Sequence, residues 1–121
     1  MATVVVVDDE SINADALAVM LSMEGIRAIT AADGAEGLRI IAAEVPDAVI
    51  TDFMMPVMSG FEMAVAMRAD SLLSKIPLVL LTAAQAEIGH CHPDLFDAVF
   101  EKPCVPARII ARLFELMAKS A

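Results

Sequence analysis

The stretch Val4-Val5-Val6-Val7-Asp8-Asp9 decides how the rest of the chain is read. Four consecutive valines with no polar alternation describe a strand covered on both faces, as in a parallel sheet, and the run breaks on a pair of carboxylates. The same shape recurs: Ala48-Val49-Ile50-Thr51 runs into Asp52, Leu78-Val79-Leu80-Leu81 into Thr82, and Ala98-Val99-Phe100-Glu101 into Lys102-Pro103. In open α/β sheets the ligand site lies outside the carboxyl ends of the strands. The four runs therefore gather three carboxylates, a hydroxyl and an ammonium at one edge. That set suits a divalent cation and a phosphoryl group.

Helix signals fill the spaces between the runs. Ser11 is positioned to cap a helix with Leu17, Met20 and Leu21 at helical spacing, and Gly25 sits where a terminator belongs. Ile26 to Ala31 reads as a second strand, the least apolar and so an edge. Asp33 followed by Glu36 resembles a capping box that opens a helix through Leu38, Ile41 and Ala42, stopped by Pro46. A Met- and Pro-containing loop, Phe53 to Gly60, precedes a third helix from Phe61 to Ala69. Pro106 opens a last helix with Ile109, Ile110, Leu113, Phe114 and Met117 on its buried stripe. Between Ala83 and Asp97 the pattern is least regular, and Gly89 and Pro93 leave room for a short or irregular fourth helix. Five βα repeats predict an α/β fold, a doubly wound five-stranded parallel sheet of flavodoxin-like type with helices on both faces. With strand order 2-1-3-4-5, the first and third strands are neighbours and Asp8, Asp9 and Asp52 converge.

The 121 residues suit a single domain spanning 1–121. Hydrophobic residues make up 59% and mean hydropathy is +0.72, yet apolar stretches such as Ile76 to Ala86 are too short to span a bilayer. No membrane insertion is expected, and the N-terminus lacks the basic and cleavage regions of a signal peptide. Cys91 and Cys104 then read as reduced thiols in a cytoplasmic protein. With 8 basic and 17 acidic residues the net charge is −9. A nucleic-acid binder needs a basic stripe to displace counterions, so direct nucleic-acid binding is not expected.

Aspartates crowded at one edge repel unless a cation neutralises them. Mg²⁺ takes a few oxygen ligands and keeps waters, which fits an open acidic strand edge. One carboxylate can then act as a nucleophile towards phosphorus, with Lys102 carrying charge on the phosphoryl oxygens and Thr82 donating a hydrogen bond.

At these residues the chain resembles the receiver domain of two-component response regulators. The matching positions are Asp8-Asp9, Asp52-Phe-Met-Met-Pro-Val-Met-Ser-Gly60, Thr82-Ala83 and Lys102-Pro103, in order and at successive strand ends. The resemblance implies a phospho-accepting switch in a phosphorelay. Asp52 is then the phosphoacceptor. Asp9 is the direct Mg²⁺ ligand, Asp8 helps through water, and the backbone carbonyl of Met54 completes the protein's share of the coordination. Thr82 is the hydroxyl switch residue and Lys102 the phosphoryl-contacting lysine, followed by Pro103 through a cis bond. The donor is a histidine kinase or histidine phosphotransfer protein, and the domain catalyses only its own phosphorylation and dephosphorylation. Met54 and Ala84 flank the approach of hydrolytic water and are expected to set the lifetime of the phosphorylated form.

Two positions depart from the family pattern. Val99 stands three residues before the lysine, where Tyr or Phe is usual, and a branched aliphatic has little χ1 freedom. Phe100 is next to it, but strand alternation turns it to the opposite face. The Ala83 to Asp97 segment is a little shorter than usual and carries His90-Cys91-His92-Pro93. That triplet lacks the second ligand pair of a zinc site and is read as surface loop. Met54, Met55 and Met58 are read as packing, and Cys104 as a small buried thiol. Two other functions are open to the same residues: a Mg²⁺-dependent phosphatase or phosphotransferase, and a phosphorylation-independent adaptor. Output is expected to pass either to a separate partner of a stand-alone receiver or to a joined output domain.

Overall fold

Thr3–Val7 (β1), Arg27–Ala31 (β2), Ala48–Thr51 (β3), Leu78–Thr82 (β4) and Ala98–Glu101 (β5) form one sheet in the order β2-β1-β3-β4-β5, and every pairing is parallel. The computed structural model describes residues 1–120. Four helices connect successive strands, α1 Ser11–Met23, α2 Gly34–Glu44, α3 Gly60–Ala69 and α4 Ala86–His90, and α5 Pro106–Ser120 follows β5. The predicted doubly wound α/β architecture and strand order are those observed.

Side-chain alternation divides the interior into two cores. Val5, Val7, Val49, Leu78 and Leu80 face Ile41, Met63 and Met67 on one side. Val4, Val6, Ala48, Ile50 and Val79 face Leu17, Leu21, Ile109 and Leu113 on the other. The central strands bury both faces, which is why they read as unbroken apolar runs. The two edge strands, β2 and β5, have no fully buried centre.

The register aligns the strand ends that matter. Val7 lies beside both Ala31 and Thr51. The ladder continues one step beyond each strand: the Asp8 N–H donates to Ala31 O at 3.0 Å, Asp52 N–H to Val7 O at 3.0 Å, and Lys102 N–H to Thr82 O at 2.9 Å. These hydrogen bonds fix the backbones of the charged residues as an extension of the rigid sheet. At the opposite end the Arg68 guanidinium donates to the carbonyls of Leu95, Ser74 and Ile76 and to Asp97. Asp97 in turn accepts from the Leu78 N–H at 2.8 Å, so one arginine ties the starts of β4 and β5 to α3.

Several local expectations change in detail. Ser11 is the first helical residue of α1, not its cap; the cap is Glu10, which uses no side-chain bond and gives its N–H to Asp8 Oδ1 at 2.9 Å. Asp8 thus organises the helix entry that Ser11 was expected to organise. Asp33 accepts from the Glu36 N–H, but Glu36 reaches back to Ala32 rather than to Asp33. The complete capping box is at Ser59 and Glu62, opening α3. On α1, Leu17 and Leu21 are buried but Met20 is exposed. On α5, Leu116 is buried in place of Phe114, which is exposed. Helix α4 is short, as expected, but starts later than Ala83 and contains Gly89.

Gly89 explains how α4 tolerates that residue. A Cβ there would press on Leu80 and Val99, so glycine lets the helix lie directly on β4 and β5.

Candidate functional site

Three strand ends deliver the charges. Asp8 follows β1, Asp52 follows β3 and Lys102 follows β5. The Lys102 ammonium sits between the two carboxylates, Nζ lying 3.3 Å from Asp8 Oδ2 and 3.4 Å from Asp52 Oδ2. All three side chains are largely buried, at 23% (Lys102), 9% (Asp8) and 13% (Asp52) exposure. Carboxylate oxygens of Asp8, Asp9 and Asp52 lie within 4.8 Å of one another, with Asp9 open to solvent. Among the described residues this is where metal-capable groups come together; His90, Cys91 and His92 join no such cluster. Hard oxygen donors with one exposed member fit a divalent cation that keeps part of its water shell.

The electrostatics follow from burial and proximity. Burial pushes the Asp52 carboxyl above its ordinary pKa; the Phe53 N–H and the Lys102 charge pull it back, and the Asp8 charge adds to the rise. For Lys102, burial alone favours the neutral amine. The charges of Asp52 and Asp8, with hydrogen bonds to both, outweigh it and hold the ammonium above its ordinary range. The ammonium is the site's resident cation, and the acidic cluster retains capacity for a second.

The β3–α3 loop presents Asp52 through a set of close backbone contacts. Asp52 Oδ1 accepts from the Phe53 N–H at 2.7 Å, leaving Oδ2 directed at Lys102. The Thr51 hydroxyl donates to the Asp52 carbonyl at 2.8 Å, and the Gly60 N–H donates to Phe53 O at 2.8 Å. A Cβ on Gly60 would overlap the Asp52 carbonyl oxygen, so only glycine lets α3 start this close to the acidic residue. At Val57 the chain turns with φ 68°, and the Met58 N–H donates to Pro56 O at 2.7 Å across it. This γ-turn aims the Met58 carbonyl at the Gly34 N–H, 2.9 Å away, and ties the loop to α2.

The other expected residues lie around this centre. Met54 is two residues past Asp52 with its side chain exposed. The Lys102-Pro103 bond is cis. Thr82, at the end of β4, is 1% exposed, and its hydroxyl donates to Gln85 Oε1 at 3.1 Å. Val99 packs in the core facing α3 and Phe100 in the core facing α5, so alternation separates them as expected. Cys104 is half-buried rather than buried, and lines a cavity of about 380 Å³ that runs from Asp52 and Lys102 to Leu17, Met20 and Ile109. The sequence gives no role to Gln85 or to the Thr51 hydroxyl, and it marks Gly60 only as the end of the Asp52 motif. The Gln85 contact had one available signal, a polar residue three positions after a strand-terminal threonine.

The sequence matches the family described as "Response regulator receiver domain" over residues 4–114. The chain belongs to that family. This receiver domain is 32% identical over 113 residues to the Phosphate regulon transcriptional regulatory protein PhoB of Pseudomonas aeruginosa, covering 92% of the chain and 49% of that protein. It is 36% identical over 123 residues to the Sensory transduction protein RegX3 of Mycolicibacterium smegmatis, covering 100% of the chain and 53% of that protein. The receiver domain thus spans about half the length of these relatives. Among solved structures it superposes on the chemotaxis response regulator CheY4 of Vibrio cholerae with TM-score 0.86 and 30% identity, covering 96% of this chain and 98% of the other. Among the described residues no helix is long and apolar enough to cross a membrane.

Proposed function

We propose that this receiver domain takes a phosphoryl group onto Asp52 and that Asp8, Asp9, Lys102 and Thr82 serve that transfer. The observation that carries the proposal is the convergence of Asp8, Asp9 and Asp52 within 4.8 Å around the ammonium of Lys102. A scaffold has no use for a charge cluster that costs free energy to assemble; a phosphoryl-transfer site needs it.

In the proposed reaction an Asp52 carboxylate oxygen attacks phosphorus of a phosphohistidine on a histidine kinase or phosphotransfer protein. The P–N bond breaks, and the imidazole nitrogen keeps the electron pair and takes a proton. Lys102, already 3.4 Å from the nucleophilic carboxylate, meets the charge that arrives on the phosphoryl oxygens. The Phe53 N–H holds the non-attacking oxygen of Asp52 and so orients the attacking one. Thr82 supplies a hydroxyl to the acyl phosphate. Mg²⁺, held by Asp8, Asp9, Asp52 and the Met54 carbonyl, would neutralise the acidic hollow and share charge with the transferring oxygens. Water later attacks the phosphorus, the P–O bond to Asp52 breaks, and inorganic phosphate leaves the carboxylate restored. The domain catalyses its own modification and turns over no external substrate.

Output then passes to a partner or joined domain through the surface near α4 and β5. The excess of acidic residues argues against nucleic-acid contact by the domain itself. Incubation with Mg²⁺ and acetyl phosphate, read by intact mass, tests the proposal. One phosphoryl group is expected, absent after chelation and in Asp52→Ala; undiminished modification of Asp52→Ala overturns it.

A further inference from the structure

We propose that Gln85 is a positioning residue that holds the Thr82 hydroxyl away from the phosphoryl site and passes phosphorylation to α4, in place of an aromatic side chain on β5. The inference rests on the phosphoacceptor assignment of Asp52 above.

Thr82 is buried, and a buried hydroxyl must donate to something. In this structure its partner is Gln85 Oε1 at 3.1 Å. Gln85 is also the N-cap of α4, and its side chain makes no capping bond there. Its main-chain carbonyl accepts from the Gly89 N–H at 3.2 Å. One residue therefore contacts the hydroxyl with its side chain and the helix with its backbone.

The way α4 is seated gives that connection mechanical meaning. The helix has only five residues, and Gly89 brings its backbone against Leu80 and Val99. Val99 is stiff at χ1 and carries no ring that could swing into space vacated by Thr82. A phosphoryl oxygen is an anionic acceptor, and a charge-assisted hydrogen bond is roughly twice as strong as a neutral one. Once Asp52 is phosphorylated, the Thr82 O–H leaves Gln85 Oε1 for a phosphoryl oxygen. Gln85 is released, and α4 shifts with its N-cap.

Because Thr82 turns to the phosphoryl oxygens as they gain charge in the transition state, whatever weakens the Thr82–Gln85 bond lowers the barrier to phosphoryl gain. Gln85→Ala removes the competing acceptor. Gln85→Glu replaces it with a charged one that grips the hydroxyl harder. Both are compared with the unaltered chain, and each is repeated in a Thr82→Ala background. The rate of phosphoryl gain from acetyl phosphate with Mg²⁺ is read by intact mass, and hydrogen exchange at the Gly89 amide reports α4.

Gln85→Ala is expected to gain phosphoryl about fivefold faster, the worth of one neutral hydrogen bond, and Gln85→Glu to gain it more slowly than the unaltered chain. Both effects are expected to vanish with Thr82→Ala. Protection of the Gly89 amide is expected to drop on phosphorylation of the unaltered chain, but to be low already in Gln85→Ala and unchanged by phosphorylation. Effects of equal size with and without the Thr82 hydroxyl, while Asp52 still takes phosphate, overturn this inference and leave the phosphoacceptor assignment intact. An unaltered chain that takes no phosphoryl group on Asp52 overturns both.

Discussion

Replacing Lys102 by Met keeps an apolar stem of similar length and removes the one charge that separates Asp8 from Asp52. At an effective dielectric of about 20, each contact, at 3.3 and 3.4 Å, carries about 5 kcal/mol of gross attraction. Most of this is offset by the cost of taking the three charges out of water. Removing one partner from a buried pair costs roughly 3–5 kcal/mol. Lys102 keeps 23% exposure, so water screens part of the loss, and a net destabilisation of about 2 kcal/mol is expected. For a domain of this size that lowers Tm by roughly 8 °C. The measurement is thermal unfolding of both proteins, first in chelator and then across a Mg²⁺ series. Cation binding to the folded state adds about 1.4 kcal/mol at ten times Kd. Without a competing ammonium the three carboxylates bind the ion more tightly, so the variant is expected to gain more from Mg²⁺ than the unaltered protein. Equal stability of the two proteins in chelator, or a smaller Mg²⁺ gain in the variant, refutes the electrostatic account of the site.

Two further outcomes follow from particular residues. Val57 is 82% exposed at φ 68°, where a β-branched side chain costs roughly 1–2 kcal/mol and gains no packing. Val57→Asn is expected to raise stability by about 1 kcal/mol in urea unfolding, and Val57→Gly by less because glycine loses more chain entropy; a loss of stability in both would contradict the turn geometry. Asp52 has a folded-state pKa above its ordinary value, so the native state holds this proton more tightly than the unfolded chain. Its contribution to stability is present at low pH and is lost as pH rises through the raised pKa. In metal-free buffer Asp52→Asn should match the unaltered protein near pH 4 and be the more stable of the two at pH 7. A stability difference that does not change with pH would show that the carboxyl is not penalised by burial.

The residues that could be read directly are those whose pattern is local. Four apolar runs ending on Asp8-Asp9, Asp52, Thr82 and Lys102 indicated buried parallel strands and a chemically equipped edge, because burial on both faces removes alternation and the ligand edge of such sheets is always the carboxyl one. Pro46 and Gly25 mark helix ends because backbone sterics act on single residues. Tertiary structure alone decided which partner each group finds. Ser11 lost the capping role because Asp8, fixed by β1, already accepts from the Glu10 N–H. Phe114 lost its place in the core to Leu116 because the exact face of α5 against the sheet depends on packing, not on periodicity. The Thr82–Gln85 bond, the γ-turn at Val57 and the meeting of Lys102 with two aspartates from distant strands are likewise products of the assembled sheet. A chain encodes its hydrophobic periods and turn residues one segment at a time. Distances of a few ångströms between segments exist only once the cores on both sides of the sheet have closed.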